Sequence, residues 1–178
     1  MATRWLTPQE REAWIRLVAL IELLPSTFDA ELRRKAKLVY FEYYVLAILS
    51  EAEDRTLRMS QLAGLVNSTL PRLSHAVRRL EQRGLVERTP CKEDGRSTNA
   101  RLTEAGWALV VEAAPAHVEH VRQVIFDVLS ADQVKQLNEI TATILDALPT
   151  ANGEQHAMTA PLNQDFEKTA TKKPSPSV

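Results

Sequence analysis

The sequence of 178 residues contains a single cysteine, Cys91, and only five glycines. One cysteine excludes a disulfide within the chain and a zinc site built from clustered cysteines. The few glycines, together with aromatic residues at 6% of the sequence, disfavour a β-barrel or β-sandwich and favour helices. No apolar run reaches the roughly 18 residues that a membrane-spanning helix needs, and the first residues lack the apolar stretch of a secretory signal. We therefore expect a cytoplasmic protein without a membrane partner.

Positive charge is concentrated in the middle of the chain. The whole sequence has a formal charge of −1, with 22 Lys and Arg against 23 Asp and Glu. Residues 55–106, however, contain ten basic and five acidic residues, whereas the segments 1–54 and 107–148 are acidic. Such a basic segment is typical of a surface that binds a polyanion, although a solvated charged face has the same composition.

Apolar residues at helical spacing predict helices on both sides of the basic segment. Thr7, Pro8 and Glu10 form a capping signal for a first helix. We expect Pro25-Ser26-Thr27 to interrupt this helix, so that residues 28–37 form a separate short piece. Residues 38–51 are apolar on most sides, which predicts a helix at the centre of the fold.

The second half of the chain predicts two further helices and a tail. A long helix is expected from residue 103 to about residue 129, with a bend at Pro115. Ser130 and Gln133 form a capping box for a last helix that Pro149 ends. We expect residues 149–178 to form a disordered tail, because their apolar content is too low for a packed core.

The basic segment has the pattern of two short helices, a tight turn and a hairpin. Ser60 is the expected cap of the first helix and Thr69 that of the second. Asn67 suits the left-handed conformation of the turn, and Gly84 suits the end of the second helix. Two strands, at residues 85–89 and 99–102, then follow. The pattern predicts a mainly α fold with a small β-hairpin wing, which is a winged helix-turn-helix.

Four motifs in this region resemble the MarR family of bacterial transcription regulators. They are MSQLA (59–63), LSHAVRRLEQRGLVER (73–88), EDGR (93–96) and LTEAG (102–106). The resemblance covers residues 8–148 and implies a homodimer whose terminal helices interlock. It assigns residues 1–54 and 103–148 to scaffold and dimerisation, and residues 55–102 to a DNA-binding lobe.

Two residues depart from the family pattern. The family usually has Asp-Arg-Arg at the wing tip, where this sequence has Asp94-Gly95-Arg96. It usually has Arg at the position of His75. The first change removes one cation from the wing, and the second alters the expected base preference without removing the groove-binding role.

Ten residues are candidates for contacts with DNA. Opposite the apolar stripe of the second short helix, Arg72, His75 and Arg79 recur at i, i+3 and i+7, where side chains reach base edges in the major groove. In the wing, Arg96 suits the minor groove and Asp94 would orient it. The other candidates, for phosphate or flanking contacts, are Thr69, Ser74, Arg78, Arg88 and Lys92.

The resemblance also implies a pocket for a small aromatic or phenolic effector between the dimerisation region and the DNA-binding lobe. The side chains available to line it are Trp14, Tyr40, Tyr43, Tyr44, Trp107 and His117. Aromatic residues at helical spacing are equally typical of a core. His117 and His120 lie on one helical face, but no further metal ligands accompany them, so we expect no metal.

These observations predict a repressor that binds a pseudo-palindromic operator as a homodimer and is released by a small ligand. Two alternatives stay open: a winged-helix DNA-binding protein without an effector, and a protein-interaction module that no longer binds DNA. An enzyme is disfavoured because the sequence has no phosphate-binding glycine loop and no nucleophile motif, and we expect no cofactor. Cys91 has no residue pattern beside it that indicates redox sensing.

Overall fold

The computed structural model describes residues 2–91 and 97–148. Within them there are six α-helices and a small antiparallel sheet in which β3 lies between β1 and β2. The helices are α1 (Pro8–Ala36), α2 (Tyr40–Glu51), α3 (Met59–Leu65), α4 (Leu70–Gln82), α5 (Glu104–Val121) and α6 (Ala131–Ala147). The strands are β1 (Thr56–Arg58), β2 (Val86–Pro90) and β3 (Thr98–Leu102). The expected mainly α fold with a β-hairpin is confirmed.

The first helix is continuous, so the interruption predicted at Pro25 is wrong. A proline inside a helix costs about 3 kcal/mol, because it removes one hydrogen bond and crowds the preceding turn. In the C-terminal half of α1, Phe28 and Leu32 are buried in the core, and burying two such side chains contributes roughly 3–6 kcal/mol. Tertiary packing therefore outweighs the local cost. The helix ends at Ala36, and the residue that caps it, Lys37, has a left-handed φ of 56°.

Helix α2 lies at the centre of the core, as its all-round apolar sequence predicts. Val45, Leu46 and Leu49 have no accessible surface. The core cluster includes residues of every other helix except α6, as well as strands β2 and β3. The helix-turn-helix, the hairpin strands and the C-terminal half of α1 therefore share one core.

The helix-turn-helix differs from the prediction in how its two helices begin. Helix α3 starts at Met59 rather than after Ser60, because the unpredicted strand β1 pairs with β3 and leads directly into it. Thr69 precedes α4 as expected, but its side chain makes no capping hydrogen bond. Asn67, with φ 47°, and Gly84, with φ 71°, adopt the predicted left-handed conformations.

Helix α5 begins against the turn that precedes β2. The Thr103 hydroxyl donates to the carbonyl of Gly84 at 2.7 Å, and the Thr103 N–H donates to the carbonyl of Leu85 at 3.1 Å. A Cβ atom on Gly106 would lie 2.2 Å from the Leu85 carbonyl oxygen. Glycine at this position therefore allows the first turn of α5 to pack directly on the backbone beside the wing.

The long helix predicted to end near residue 129 changes geometry earlier. Helix α5 runs through Pro115 to Val121 and continues as a π-helical segment, Arg122–Phe126. The capping box of Ser130 and Gln133 then starts α6 as predicted. Among the described residues, every helix is too short or too polar to span a membrane.

Candidate nucleic-acid interface

The buried stripe of α4 determines which of its side chains face outward. Leu73, Ala76, Val77 and Leu80 are inaccessible or nearly so and fix the rotation of the helix. The side chains opposite this stripe are exposed, namely Pro71, His75, Arg78 and Gln82. The outer face of α4 therefore presents an imidazole and a guanidinium to solvent.

Arg72 and Arg79 lie on one flank of this face and reach back to α2. The Arg72 guanidinium lies 4.5 Å from the centre of the Phe41 ring. Arg79 Nε lies 2.6 Å from Oε1 of Glu42, a buried carboxylate. The sequence spacing predicts that both arginines point toward DNA; the structure places their guanidinium groups between α4 and α2, although both residues keep exposed surface.

The opposite flank of α4 faces the hairpin across a groove of about 240 Å³. Four hydroxyl side chains, one guanidinium and two apolar side chains line it: Ser60, Ser74, Ser97, Thr98, Arg88, Met59 and Leu70. Hydroxyl and guanidinium donors are the groups that proteins use for DNA phosphates. The groove thus brings together two of the predicted contacts, Ser74 and Arg88, from different elements.

Arg88 is held in place by Glu81 of α4. Arg88 Nη2 and Nε lie 2.6 and 3.0 Å from Oε2 of Glu81. Hydrogen bonds from Arg88 lower the pKa of the Glu81 carboxyl, so Glu81 stays ionised. The pair orients the Arg88 guanidinium at the edge of the groove and neutralises part of its charge.

The tip of the wing and the C-terminal segment lie outside the described residues. The predicted contacts Lys92, Asp94 and Arg96 belong to the segment 92–96, and the predicted tail to 149–178. At the base of the hairpin the Cys91 N–H donates to the Ser97 carbonyl at 2.8 Å.

A cleft of about 720 Å³ lies between α2 and α4, and α1 borders it through Pro25, Asp29 and Arg33. Tyr40 and Tyr44 line it with parallel rings 6.2 Å apart, and the Tyr44 hydroxyl donates to the Leu65 carbonyl at 3.2 Å. Arg33, Arg72, His75 and Arg79 also line it. The cleft combines aromatic surface with cationic groups, which suits a ring that bears a negative charge.

Tyr43 and His117 belong to an adjacent buried cluster rather than to the cleft. Their ring centres lie 4.6 Å apart, and Phe28 lies 5.7 Å from His117. Burial lowers the pKa of His117, while burial and nearby carboxylates raise the pKa of Tyr43 to about 12. Sequence reasoning missed Phe28, because the expected break at Pro25 removed it from the face of α1 that packs on α5.

The other two predicted pocket residues lie elsewhere. Trp14 is 54% exposed on the N-terminal half of α1. Trp107 lies under Arg55, whose guanidinium is 4.3 Å from the ring centre and forms an ion pair with Glu104 at 2.9 Å. The six aromatic and histidine side chains therefore do not line one crevice within a single chain. Within 2–91 and 97–148, no group of three or more His, Cys, Asp or Glu is arranged to hold a metal ion.

Two helices leave large apolar faces uncovered. In the N-terminal half of α1, Trp14, Ile15, Leu20, Ile21 and Leu23 are each more than half exposed. Helix α6 has no buried residue, and its apolar positions Leu137, Ile140 and Ile144 are exposed. Exposed apolar faces of this size mark a protein interface rather than a solvated surface.

Comparison with known proteins supplies relatives for this arrangement. Residues 41–98 match the sequence profile of the MarR family. Sco3205, a MarR family transcriptional regulator from Streptomyces coelicolor with a crystal structure in complex with DNA, is 37% identical, with a TM-score of 0.81. That match covers 87% of this chain and 97% of Sco3205. AbsC, a MarR family transcriptional regulator from the same organism, is 35% identical with a TM-score of 0.75, over 80% of this chain and 95% of AbsC.

Curated relatives give the same picture over shorter segments. The HTH-type transcriptional regulator PecS of Dickeya dadantii is 33% identical over 92 residues, which is 51% of this chain and 55% of PecS. The transcriptional repressor MprA of Escherichia coli K12 is 27% identical over 106 residues, which is 60% of each chain. The chain therefore spans less than two thirds of the length of either relative.

Proposed function

The chain belongs to the MarR family, whose transcriptional regulators are not enzymes, and we propose that it is a repressor that binds a pseudo-palindromic DNA operator as a homodimer. The observation that carries this proposal is the outer face of α4. The buried stripe fixes the rotation of α4, so that His75 and Arg78 face outward. Beside them lies the groove whose hydroxyl groups and Arg88 can donate to phosphates. This is the geometry that a recognition helix needs to enter the major groove.

The residues of α4 divide between base edges and phosphates. Arg78 is exposed on the outer face and can bond two acceptors of guanine, which discriminates between bases by about 1–3 kcal/mol. His75, beside it, can donate to or accept from a base edge. Ser74 and Arg88 in the groove, with Thr69 at the start of α4, supply phosphate donors. Lys92, Asp94 and Arg96 remain predicted wing contacts.

The uncovered faces of α1 and α6 support the homodimer. A second copy of the chain offers the same two apolar faces, so a two-fold interface would cover both. The acidic character of residues 1–54 and 107–148 suits a position away from the duplex. Two-fold symmetry then places the two recognition helices about one turn of DNA apart, roughly 34 Å.

The cleft between α2 and α4 supports release by a small effector. Its tyrosine rings and arginines favour an aromatic compound, and because α4 forms one wall, binding there would shift the recognition helix. The alternative is a DNA-binding protein without an effector. Release of the operator during titration with phenols and aromatic acids would support regulation by an effector. The absence of release would support the alternative.

The DNA-binding proposal is tested with duplexes recovered by selection from genomic fragments. Wild-type affinity should fall steeply with salt, because each neutralised phosphate contributes about 0.9 to the slope of log K against log salt. Arg78→Ala should weaken binding to the selected duplex about tenfold or more and relax its base preference, since one bidentate contact is worth about 1–3 kcal/mol.

Lys135→Ala is the matched control, because Lys135 is an exposed cation on the polar side of α6. It should leave duplex affinity unchanged. A wild-type protein that ignores every duplex at low salt, or an Arg78→Ala variant indistinguishable from it, would refute the proposed recognition surface.

A further inference from the structure

The C-terminal end of α4 is attached to the end of α1. Arg83, the residue that follows α4, donates from Nη1 to the Lys37 carbonyl at 2.9 Å and from Nη2 to the Ala36 carbonyl at 3.3 Å. The last carbonyls of a helix have no partner within it and carry partial negative charge. The Arg83 guanidinium therefore supplies both hydrogen bonds and a favourable charge at the end of α1.

One turn earlier, Arg79 attaches α4 to the start of α2. Its Nε donates to Oε1 of Glu42 at 2.6 Å. The other oxygen, Oε2, accepts from the Val39 N–H at 3.3 Å and so caps α2. Because the Glu42 side chain is only 8% exposed, its charge needs this partner, and the two groups hold each other in a defined position.

The segment that these two arginines contact, residues 36–42, is itself hydrogen-bonded to α1. Asp29 Oδ1 accepts from the Tyr40 N–H at 2.6 Å, which ties the start of α2 to α1 eleven residues back along the chain. Arg79 and Arg83, at i and i+4, thus contact one rigid junction formed by residues 36–42. We call these two residues the arginine clamp.

We propose that the arginine clamp positions the recognition helix relative to α1, and thereby determines which half-site spacing the dimer accepts. Helix α1 carries the uncovered apolar face in its N-terminal half and the clamped carbonyls at its C-terminal end. It therefore connects the dimer interface to α4 as one continuous rod. This inference rests on the proposed function, since it presupposes a homodimer on DNA.

The clamp differs from a phosphate contact in a measurable way. A phosphate-binding arginine releases counterions, so its removal from both subunits lowers the salt slope by about 1.8. A positioning arginine releases none on binding, and its removal leaves the slope unchanged. It should instead weaken the preference for the correct half-site spacing, because a loosely held α4 adjusts to the wrong spacing at lower cost.

The experiment uses the full chain and the selected duplex, with its half-sites at the native spacing or moved by one base pair in either direction. In Arg83→Lys the positive charge remains, but the forked guanidinium that bonds the Lys37 and Ala36 carbonyls from two nitrogens is lost. We expect this variant to bind the native spacing about tenfold more weakly, which is the cost of roughly one mismatched base pair. For this variant, the ratio of the affinity for the duplex with native spacing to that for a duplex with shifted spacing should fall toward one. Its salt slope and its affinity for random duplex should not change.

Glu42→Gln is the second variant, because Glu42 is buried and its side chain cannot itself contact DNA. As a clamp partner, its loss should weaken spacing discrimination without a gain in random-duplex affinity. If Arg79 instead binds phosphate, releasing it should raise random-duplex affinity and the salt slope, which would overturn the proposal. Thermal unfolding of both variants checks that the fold is retained, and Lys135→Ala serves again as control.

The two proposals fail in different ways. A wild-type protein that binds no duplex refutes the proposed function. A wild-type protein that discriminates spacing, alongside Arg83→Lys and Glu42→Gln variants that discriminate equally well, refutes the clamp alone. A salt slope that falls by about 1.8 in Arg83→Gln, which removes the charge, assigns Arg83 to phosphate binding and also refutes the clamp.

Discussion

His117 is a histidine whose acid–base chemistry is changed by burial. Its ring lies between Phe28 of α1 and Tyr43 of α2, and its Nδ1 is buried without a hydrogen-bond partner among the described residues. Burial lowers its pKa below the ordinary 6.5, the nearby Glu31 carboxylate acts in the opposite direction, and the electrostatic interaction with His120 lowers it further. The cluster therefore favours a neutral imidazole.

This burial predicts a loss of stability in weak acid. Below pH 6.5 the unfolded chain binds a proton at His117 that the folded chain resists, so the free energy of unfolding falls as the pH drops toward the folded-state pKa. The slope should be less than about 1.4 kcal/mol per pH unit, because the ring keeps partial access to water.

Urea unfolding of wild type and His117→Phe between pH 7.5 and 5 checks this prediction. The phenyl ring preserves the aromatic packing and removes the titrating group. The difference in unfolding free energy between the two proteins should change as the pH is lowered below 6.5. A difference that is constant with pH would show that His117 takes up protons equally well in the folded chain.

At the scale of elements, the helix order, the helix-turn-helix and the hairpin follow from local patterns. Buried stripes at helical spacing, such as Leu73 to Leu80, and turn residues such as Asn67 and Gly84 indicate these elements because their signals lie within a few residues of each other. The continuity of α1 through Pro25 and the strand β1 depend on contacts with distant elements. Local sequence carries no signal for such contacts.

The packing of α5 on the turn before β2 makes Gly106 essential to the wing. Gly106→Ala would place a methyl group 2.2 Å from a backbone oxygen that cannot move without displacing the hairpin. We expect a loss of unfolding free energy of about 1–3 kcal/mol, the usual cost of overpacking, despite the higher helix propensity of alanine.

Thermal or urea unfolding measures this loss. Ala105→Ser changes the preceding residue, which is exposed, and should alter stability by less than about 0.5 kcal/mol. Equal stability of Gly106→Ala and wild type would mean that α5 does not approach the Leu85 carbonyl as closely as described.

At the scale of the whole molecule, an isolated chain leaves the N-terminal half of α1 and all of α6 outside its packed core. The apolar residues of these faces cover a surface that a soluble monomer rarely exposes. In a two-fold dimer the same faces would be buried, and the two α4 helices would be held at one separation. The proposed DNA binding, effector response and arginine clamp all depend on that separation.

Ile140→Asp tests the dimer, because it places a charge in the centre of the apolar face of α6. Ile140 is 58% exposed in the single chain, so the substitution costs the isolated subunit little, whereas an unpaired buried charge costs an interface several kcal/mol. We expect sedimentation velocity to show a dimer for wild type and a shift to monomer for the variant, together with weaker duplex binding.

Lys135→Asp, on the polar side of the same helix, controls for the added negative charge and should remain dimeric. A wild-type protein that sediments as a monomer at micromolar concentration, or an Ile140→Asp variant that stays dimeric, would contradict this role of α6.

The sequence alone determined the winged helix-turn-helix, the concentration of positive charge in it and the family to which the chain belongs. These features arise from spacings and compositions within short segments. Only the tertiary structure decided which cations of α4 face outward. Helical spacing places Arg72, His75 and Arg79 on one side, but Phe41 and Glu42, more than thirty residues earlier, draw the two arginines toward α2. A side chain's partner across such a distance depends on how helices pack, which no local pattern records.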